Sequence, residues 1–227
     1  MSGVDQAELL AVARSVIEAD ARAVHATLSA LDEDFLEVAG LLATMSGKAL
    51  VTGSGTSGNI ASRGAHLLSV CGTPAFYLSP AEGLHGGLGA LQPDDVVIAL
   101  SKGGSSDELN EFCRRAKALC RAVIIITGSP KSALASVADY VIAIPLEDDM
   151  DLSGVVATGS SLATGAVLDA LCEMGRVAVN RRGNGPPDRR AKGTPWLVTD
   201  RGGSVRPCGA SWDCAAGASA VGLGADC

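Results

Sequence analysis

Five short apolar runs, KALVT (48–52), PAFYL (74–78), DVVIAL (95–100), AVIIIT (122–127) and YVIAI (140–144), recur along the chain with helical stretches between them. Three of the runs are unbroken and rich in Val and Ile. That is the pattern of strands buried on both faces, as in a parallel sheet covered by helices. Helices are predicted at about 57–71, 105–120, 130–137 and 158–180. Strand, helix, strand in repetition needs crossover connections, and these build a doubly wound α/β fold: a three-layer sandwich on a five-stranded parallel sheet. Ahead of the first run, apolar residues such as Leu9, Val12, Val16, Val24, Leu28, Phe35, Val38 and Leu42 recur at spacings of three and four. They predict a helical hairpin over 1–47, divided near Asp32–Asp34 and packed on a domain spanning 48–182. After Arg182 the composition turns to Gly, Pro, Arg, Ser and Cys without a sustained period. Residues 183–227 are therefore expected to form an irregular or disordered tail.

The first strand runs into VTGSGTSGN (51–59), where Gly53, Gly55 and Gly58 satisfy the spacing of a dinucleotide-binding loop. A nicotinamide site also needs a carboxylate at the end of the second strand to hold a ribose hydroxyl. That place reads PAFYLSP, and Glu82 comes only after Pro80. The loop carries hydroxyls instead, on Ser54, Thr56 and Ser57. A second turn, IALSKGGSSDEL (98–109), follows the third strand and opens a helix. Ser101, Ser105 and Ser106 surround Gly103 and Gly104, and Lys102 adds a cation. Glycines admit close backbone approach, and hydroxyls beside helix N-terminal amides suit a phosphate dianion. A third cluster, ATGSSLATG (157–165), opens the last long helix. Three such turns converge if they leave the carboxyl edge of one sheet, where open α/β sheets bind ligands.

The rest of the composition narrows the ligand. Net charge is −7 with no basic stripe, which excludes nucleic acid and an anionic membrane surface as expected partners. Aromatic residues make up only 3%, too few for platforms that stack bases. No stretch of 18 uncharged apolar residues occurs, and the N-terminus lacks the basic-then-apolar pattern of a signal peptide. Seven cysteines, an odd number without a C-x-x-C pair, read as reduced thiols of a cytoplasmic protein. A small phosphorylated metabolite remains the partner these features allow, and neither cofactor nor metal is expected.

Residues 51–112 together resemble the sugar isomerase (SIS) domain, and in particular its arabinose 5-phosphate isomerase-like branch. The resemblance rests on the G-x-G-x-S-G turn, the TPAF strand, PAEGLHGGLG (80–89) and the Ser/Gly loop at 101–106. ITGSPKSALASVADYVIAIP (126–145) continues it, and it covers about residues 10–180. It implies a flavodoxin-like sandwich, assembled as a homodimer or homotetramer, that binds phosphosugars and interconverts aldose and ketose phosphates. On that resemblance Ser101 and Ser106 cradle the phosphate with the amides of Gly104 and Ser105. Gly55, Thr56 and Ser57 face the sugar, and Ser160 and Ser161 complete the cradle. His85 matches the histidine of the LHGGLG motif.

The chain also departs from the branch. Thr56 stands where the branch has a lysine, and Ser105 where it has a glutamate. A second glutamate falls among Glu147, Asp148 and Asp149, with Asp149 taken as its counterpart. No histidine follows His85, although the branch has one beyond its last helix. Isomerisation through an enediol needs a base at the carbon, an acid at the carbonyl oxygen and stabilisation of the oxyanion. His85, Lys102 and Asp149 are the candidates for that chemistry. Two readings stand: an aldose–ketose isomerase with an altered acid–base set, or a phosphosugar-binding or sensing module without turnover.

Overall fold

The computed structural model describes residues 5–147, 149–152, 154, 156–181, 197–199 and 205–207. The five apolar runs form β1 (Ala49–Gly53), β2 (Ala75–Tyr77), β3 (Val96–Ser101), β4 (Ala122–Thr127) and β5 (Tyr140–Ala143). All pair in parallel in the order β2-β1-β3-β4-β5. Successive side chains in a strand point to opposite faces, so a strand covered on both sides must be apolar at every position. β4 meets that condition from Ala122 to Ile126, before the buried Thr127, and β3 meets it up to Ser101.

One face holds Val51, Ile98, Leu100, Ile124 and Ile126. It packs against α2 (Glu33–Thr44), α3 (Thr56–Val70) and α6 (Gly159–Arg181) through Phe35, Leu68 and Leu168. The other face holds Leu50, Val97, Ala99, Val123 and Ile125. It packs against Leu109 and Phe112 of α5 (Asp107–Ala116) and against Leu88 and Leu134. The three-layer expectation therefore holds. A short helix that the sequence reading did not anticipate, α4 (Pro80–Leu84), follows β2, started by the Ser79 cap and Pro80 at its first turn.

The N-terminal segment is two helices. α1 (Gln6–Ala26) ends in a 3-10 turn, Thr27–Ala30, and the Asp32 carboxylate accepts from the Phe35 amide at 3.0 Å to start α2. The division expected near Asp32–Asp34 thus comes from a helix cap. Both helices pack on α6, and residues 1–185 form one compact unit with the sheet. α1 nevertheless buries only Ala23, and Leu10, Val12, Ile17 and Leu28 lie exposed.

Two helix expectations need correction. The stretch 130–137 is not a helix; only the 3-10 turn Ala135–Val137 forms there. Its serines compete for the backbone: the Ser132 hydroxyl accepts from the Ala135 amide, and that of Ser136 donates to the Ala133 carbonyl. Leu134 is fully buried, so the turn still closes the second face of the sheet. α5 stops at Ala116 instead of continuing to 120. There the Leu119 and Cys120 amides both donate to the Ala116 carbonyl, and the chain turns back into β4.

Most of the tail expected over 183–227 lies outside the described residues. Within its own unit, Pro186–Cys227, β6 (Leu197–Thr199) and β7 (Val205–Pro207) pair antiparallel. Cys71, Cys113, Cys120 and Cys172 are free thiols.

Candidate functional site

The strand order reverses direction at β1. From β1 the chain goes to β2 on one side, and β3 lies on the other. In such sheets the crevice at the carboxyl ends of the two strands flanking the reversal is the place left open for a ligand. Gly53, the last residue of β1, pairs in register with Leu100 of β3. The turn 53–57 and the loop 101–106 therefore leave the same edge side by side, as the sequence reading required.

The first turn is held tight by absent side chains. A β-carbon at Gly53 would crowd the Ser57 carbonyl and the Leu100 carbonyl oxygen. One at Gly58 would meet the Gly53 carbonyl and the Tyr77 hydroxyl, which itself donates to Gly53 O at 3.3 Å. Gly55 has φ +58° and precedes α3 without a side-chain cap among the described residues. Thr56 is exposed and Ser57 half-buried in the first turn of α3. The free amides of this helix start favour negative charge beside them.

The second loop is built around Gly104, at φ +64°. Its amide donates to Ser101 Oγ at 3.0 Å. The Lys102 carbonyl accepts from the Gly128 amide at 3.1 Å, which fastens the loop to the end of β4. Ser106 is the N-cap of α5, its hydroxyl accepting from the Leu109 amide at 3.4 Å. Ser105 is exposed between these fixed points. Of the expected phosphate ligands, the Gly104 amide and Ser101 hydroxyl are thus bonded to each other, and they shape the loop from within.

The third cluster is organised by a residue the sequence reading missed. Asp151 lies ahead of α6 with its side chain 5% exposed. Its Oδ1 accepts from the amides of Thr158 and Ser160, both at 2.9 Å. Its Oδ2 accepts from Ser160 Oγ at 2.8 Å and from Lys102 Nζ at 2.6 Å. Burial by itself pushes this carboxyl up, but the Lys102 ammonium and the Ser160 amide and hydroxyl outweigh it and hold it below the usual carboxylate range. Ser160 and Ser161 sit at the start of α6 as expected, yet each hydroxyl has an internal acceptor: Asp151 for Ser160, the Ala157 carbonyl for Ser161. An Asp seven residues ahead of a Thr-Gly-Ser-Ser helix start was visible in the chain. Its partner Lys102, 49 positions away, was not deducible from spacing.

The remaining candidates fall in different surroundings. Asp149 pairs with Arg22 of α1 at 2.8 Å, both side chains more than half exposed. That pair borders a cavity of about 260 Å³ lined also by Ser15, Ala19, Asp151 and Thr158. His85 is exposed at the end of α4, before Gly86 at φ +118°. Its imidazole has no hydrogen-bond or ion-pair partner among the described residues. No group of His, Cys, Asp and Glu suited to a metal ion occurs among the described residues, and no helix there is long and apolar enough to cross a membrane.

Residues 43–174 match the family model described as SIS domain. Over 159 residues the chain is 33% identical to arabinose 5-phosphate isomerase KdsD of Pseudomonas aeruginosa, covering 70% of this chain and 49% of that protein. Over 125 residues it is 38% identical to arabinose 5-phosphate isomerase KdsD of Escherichia coli K12, covering 55% of this chain and 38% of that protein. The chain thus spans about half the length, or less, of these curated relatives. Among solved structures, an Escherichia coli CFT073 protein in complex with arabinose 5-phosphate superposes with a TM-score of 0.73 at 27% identity, covering 80% of this chain and 97% of that chain.

Proposed function

The chain belongs to the SIS domain family, and from that premise we propose that it binds a sugar phosphate and interconverts its aldose and ketose forms through an enediol. The observation that carries this reading is the juxtaposition of the 53–57 turn and the 101–106 loop at the reversal point of the sheet. Two helix starts, α3 and α5, there offer amides and hydroxyls to one small anion. The relatives named above support the same chemistry over the part of their length that this chain covers.

In this reading the phosphate sits on the Ser105 and Ser106 end of the loop, with the Ser101–Gly104 bond keeping the loop open. Gly55, Thr56 and Ser57 face the sugar. His85 moves the proton, because Lys102 and Asp149 are each engaged with an opposite charge. The proton on C2 of the aldose passes to the base while the carbonyl oxygen at C1 takes up a proton, which makes the enediol. Return of a proton to C1, with loss of the proton on the C2 hydroxyl, makes the ketose. No redox group is needed, since the carbons exchange oxidation levels internally.

We further assign the exposed apolar side of α1 to contact with a second copy of the chain. Leu10 and Ile17, seven residues apart on one side of α1, and Leu28 in the turn that follows would otherwise remain in water. We also propose a cytoplasmic location, which the free thiols of Cys71, Cys113, Cys120 and Cys172 support.

Proton NMR with arabinose 5-phosphate in heavy water tests the activity. The expected result is deuterium at C1 or C2 and appearance of the ketose phosphate. A ligand-induced rise in melting temperature without any exchange would reduce the protein to a binding module. Stabilisation by NAD alone would overturn the reading altogether.

A further inference from the structure

Four donors meet on one buried carboxylate at the rim of the crevice. They are the Lys102 ammonium, the amides of Thr158 and Ser160, and the Ser160 hydroxyl. Two of them are amides at the start of α6, the position where a helix attracts an anion. Asp151 therefore stands where the third hydroxyl-rich turn would have held a ligand's phosphate. It also neutralises the one cation of the 101–106 loop. We propose that Asp151 is a specificity-determining residue that acts as a built-in anion. It fills the α6 start and cancels the Lys102 charge, so that a ligand's phosphate is confined to the α5 and α3 starts.

The physical case rests on competition. A phosphate dianion reaching for the α6 amides would have to displace a carboxylate already desolvated and bonded by four donors. It would also meet like charge at close range. Lys102 is half exposed but tethered at 2.6 Å, so the pair presents little net charge to the crevice. The Ser160 and Ser161 hydroxyls, both turned to internal acceptors, stabilise the same arrangement. The consequence is a site that grips a phosphate mostly with neutral donors and selects by shape more than by charge. This inference rests on the phosphate-binding reading above.

The test is calorimetric titration of the full chain with inorganic phosphate and with arabinose 5-phosphate, at low and high salt. The variants are Asp151→Asn, Lys102→Met and the double substitution. Asp151→Asn is expected to bind inorganic phosphate about tenfold more tightly at low salt, the effect of one unit of charge at close range, with a steeper salt dependence. Adding Lys102→Met should abolish the gain. A residue that merely supports the fold would lower the melting temperature and leave the salt slope alone. Unchanged or weaker binding with an unchanged slope, or a gain that survives in the double variant, overturns the proposal. Should Asp151→Asn fail to fold, Lys102→Met reads the same coupling: it exposes the carboxylate's charge, so phosphate binding should weaken far more at low salt than at high. Equal weakening at both overturns the proposal. If arabinose 5-phosphate leaves the wild type untouched while Asp151→Asn gains inorganic phosphate, the sugar-phosphate reading fails and this inference stands. If the wild type binds the sugar phosphate and Asp151→Asn is indistinguishable from it, the reverse holds. Binding by none of the proteins ends both.

Discussion

The Ser132 hydroxyl occupies the space that a β-carbon at Gly104 would need. Gly104 is also at φ +64°, a conformation that costs other residues about 1–2 kcal/mol. The two effects add, because the first is steric and the second is backbone strain. Gly104→Ala is expected to destabilise the domain by about 2–3 kcal/mol in urea unfolding and to weaken sugar-phosphate binding. Adding Ser132→Gly should recover the steric part alone. Full stability in the single variant would mean that the loop is free to reshape.

Ser101 and Ser106 shape the loop in different ways. Ser101 Oγ accepts the Gly104 amide, and Ser106 caps α5. Either change to Ala should lower sugar-phosphate affinity by roughly 1–2 kcal/mol by calorimetry, through loss of a polar contact or of loop order. Ser106→Ala should also cost about 1 kcal/mol of stability as a lost N-cap.

His85→Ala separates binding from turnover. Proton transfer by a positioned side chain contributes about 10²–10⁴-fold. The variant should lose at least about 10²-fold in kcat while retaining the wild-type affinity for sugar phosphate. Unchanged turnover would move the proton-transfer role elsewhere.

Asp95 marks the opposite edge of the sheet. Its buried carboxylate meets Lys48 Nζ at 2.6 Å, the Lys48 amide at 2.9 Å and the Gln92 amide at 2.8 Å. Burial pushes the group up, but the Lys48 side chain and these two amides outweigh it, and its pKa is lowered in the fold. A carboxyl with a depressed folded pKa contributes stability above its unfolded value, and that contribution fades as pH falls through the folded one. The stability difference between wild type and Asp95→Asn should therefore be full above about pH 5 and shrink as the pH drops below the ordinary carboxylate pKa of about 3.9. A difference that is constant from pH 7 to pH 3 would show that the ion pair contributes nothing.

Ile17 on α1 is 68% exposed. If a second copy covers this helix, Ile17→Asp combined with Leu10→Asp should shift the protein toward monomer in light scattering without lowering the helix signal. An unchanged mass would place the contact elsewhere or exclude it.

How much of this was legible before folding differs from element to element. β4 announced itself through the unbroken apolar run Ala122–Ile126, the pattern of a strand covered on both faces. The break near Asp32–Asp34 was readable, since capping is decided within a few residues, whereas Ser106 was expected inside the helix as a phosphate ligand and is instead its N-cap. The 130–137 stretch misled for a related reason: its spacing of apolar residues suits a helix, but serine hydroxyls bonding to nearby backbone groups won locally. Asp149 drew attention by standing in an acidic run, whereas Asp151, two positions on, holds the buried place.

The chain alone thus settled the layer architecture and the two glycine turns, for these depend on period, side-chain volume and hydrogen bonds a few residues long. Only the tertiary structure decided that Lys102 meets Asp151, that Arg22 meets Asp149 and that Ser132 requires glycine at 104. Those partners come together from segments distant in the chain, Arg22 from a helix and the others from loops. No periodicity relates them, and the free energy that selects them, desolvation balanced against charge and fit, exists only once the core has closed.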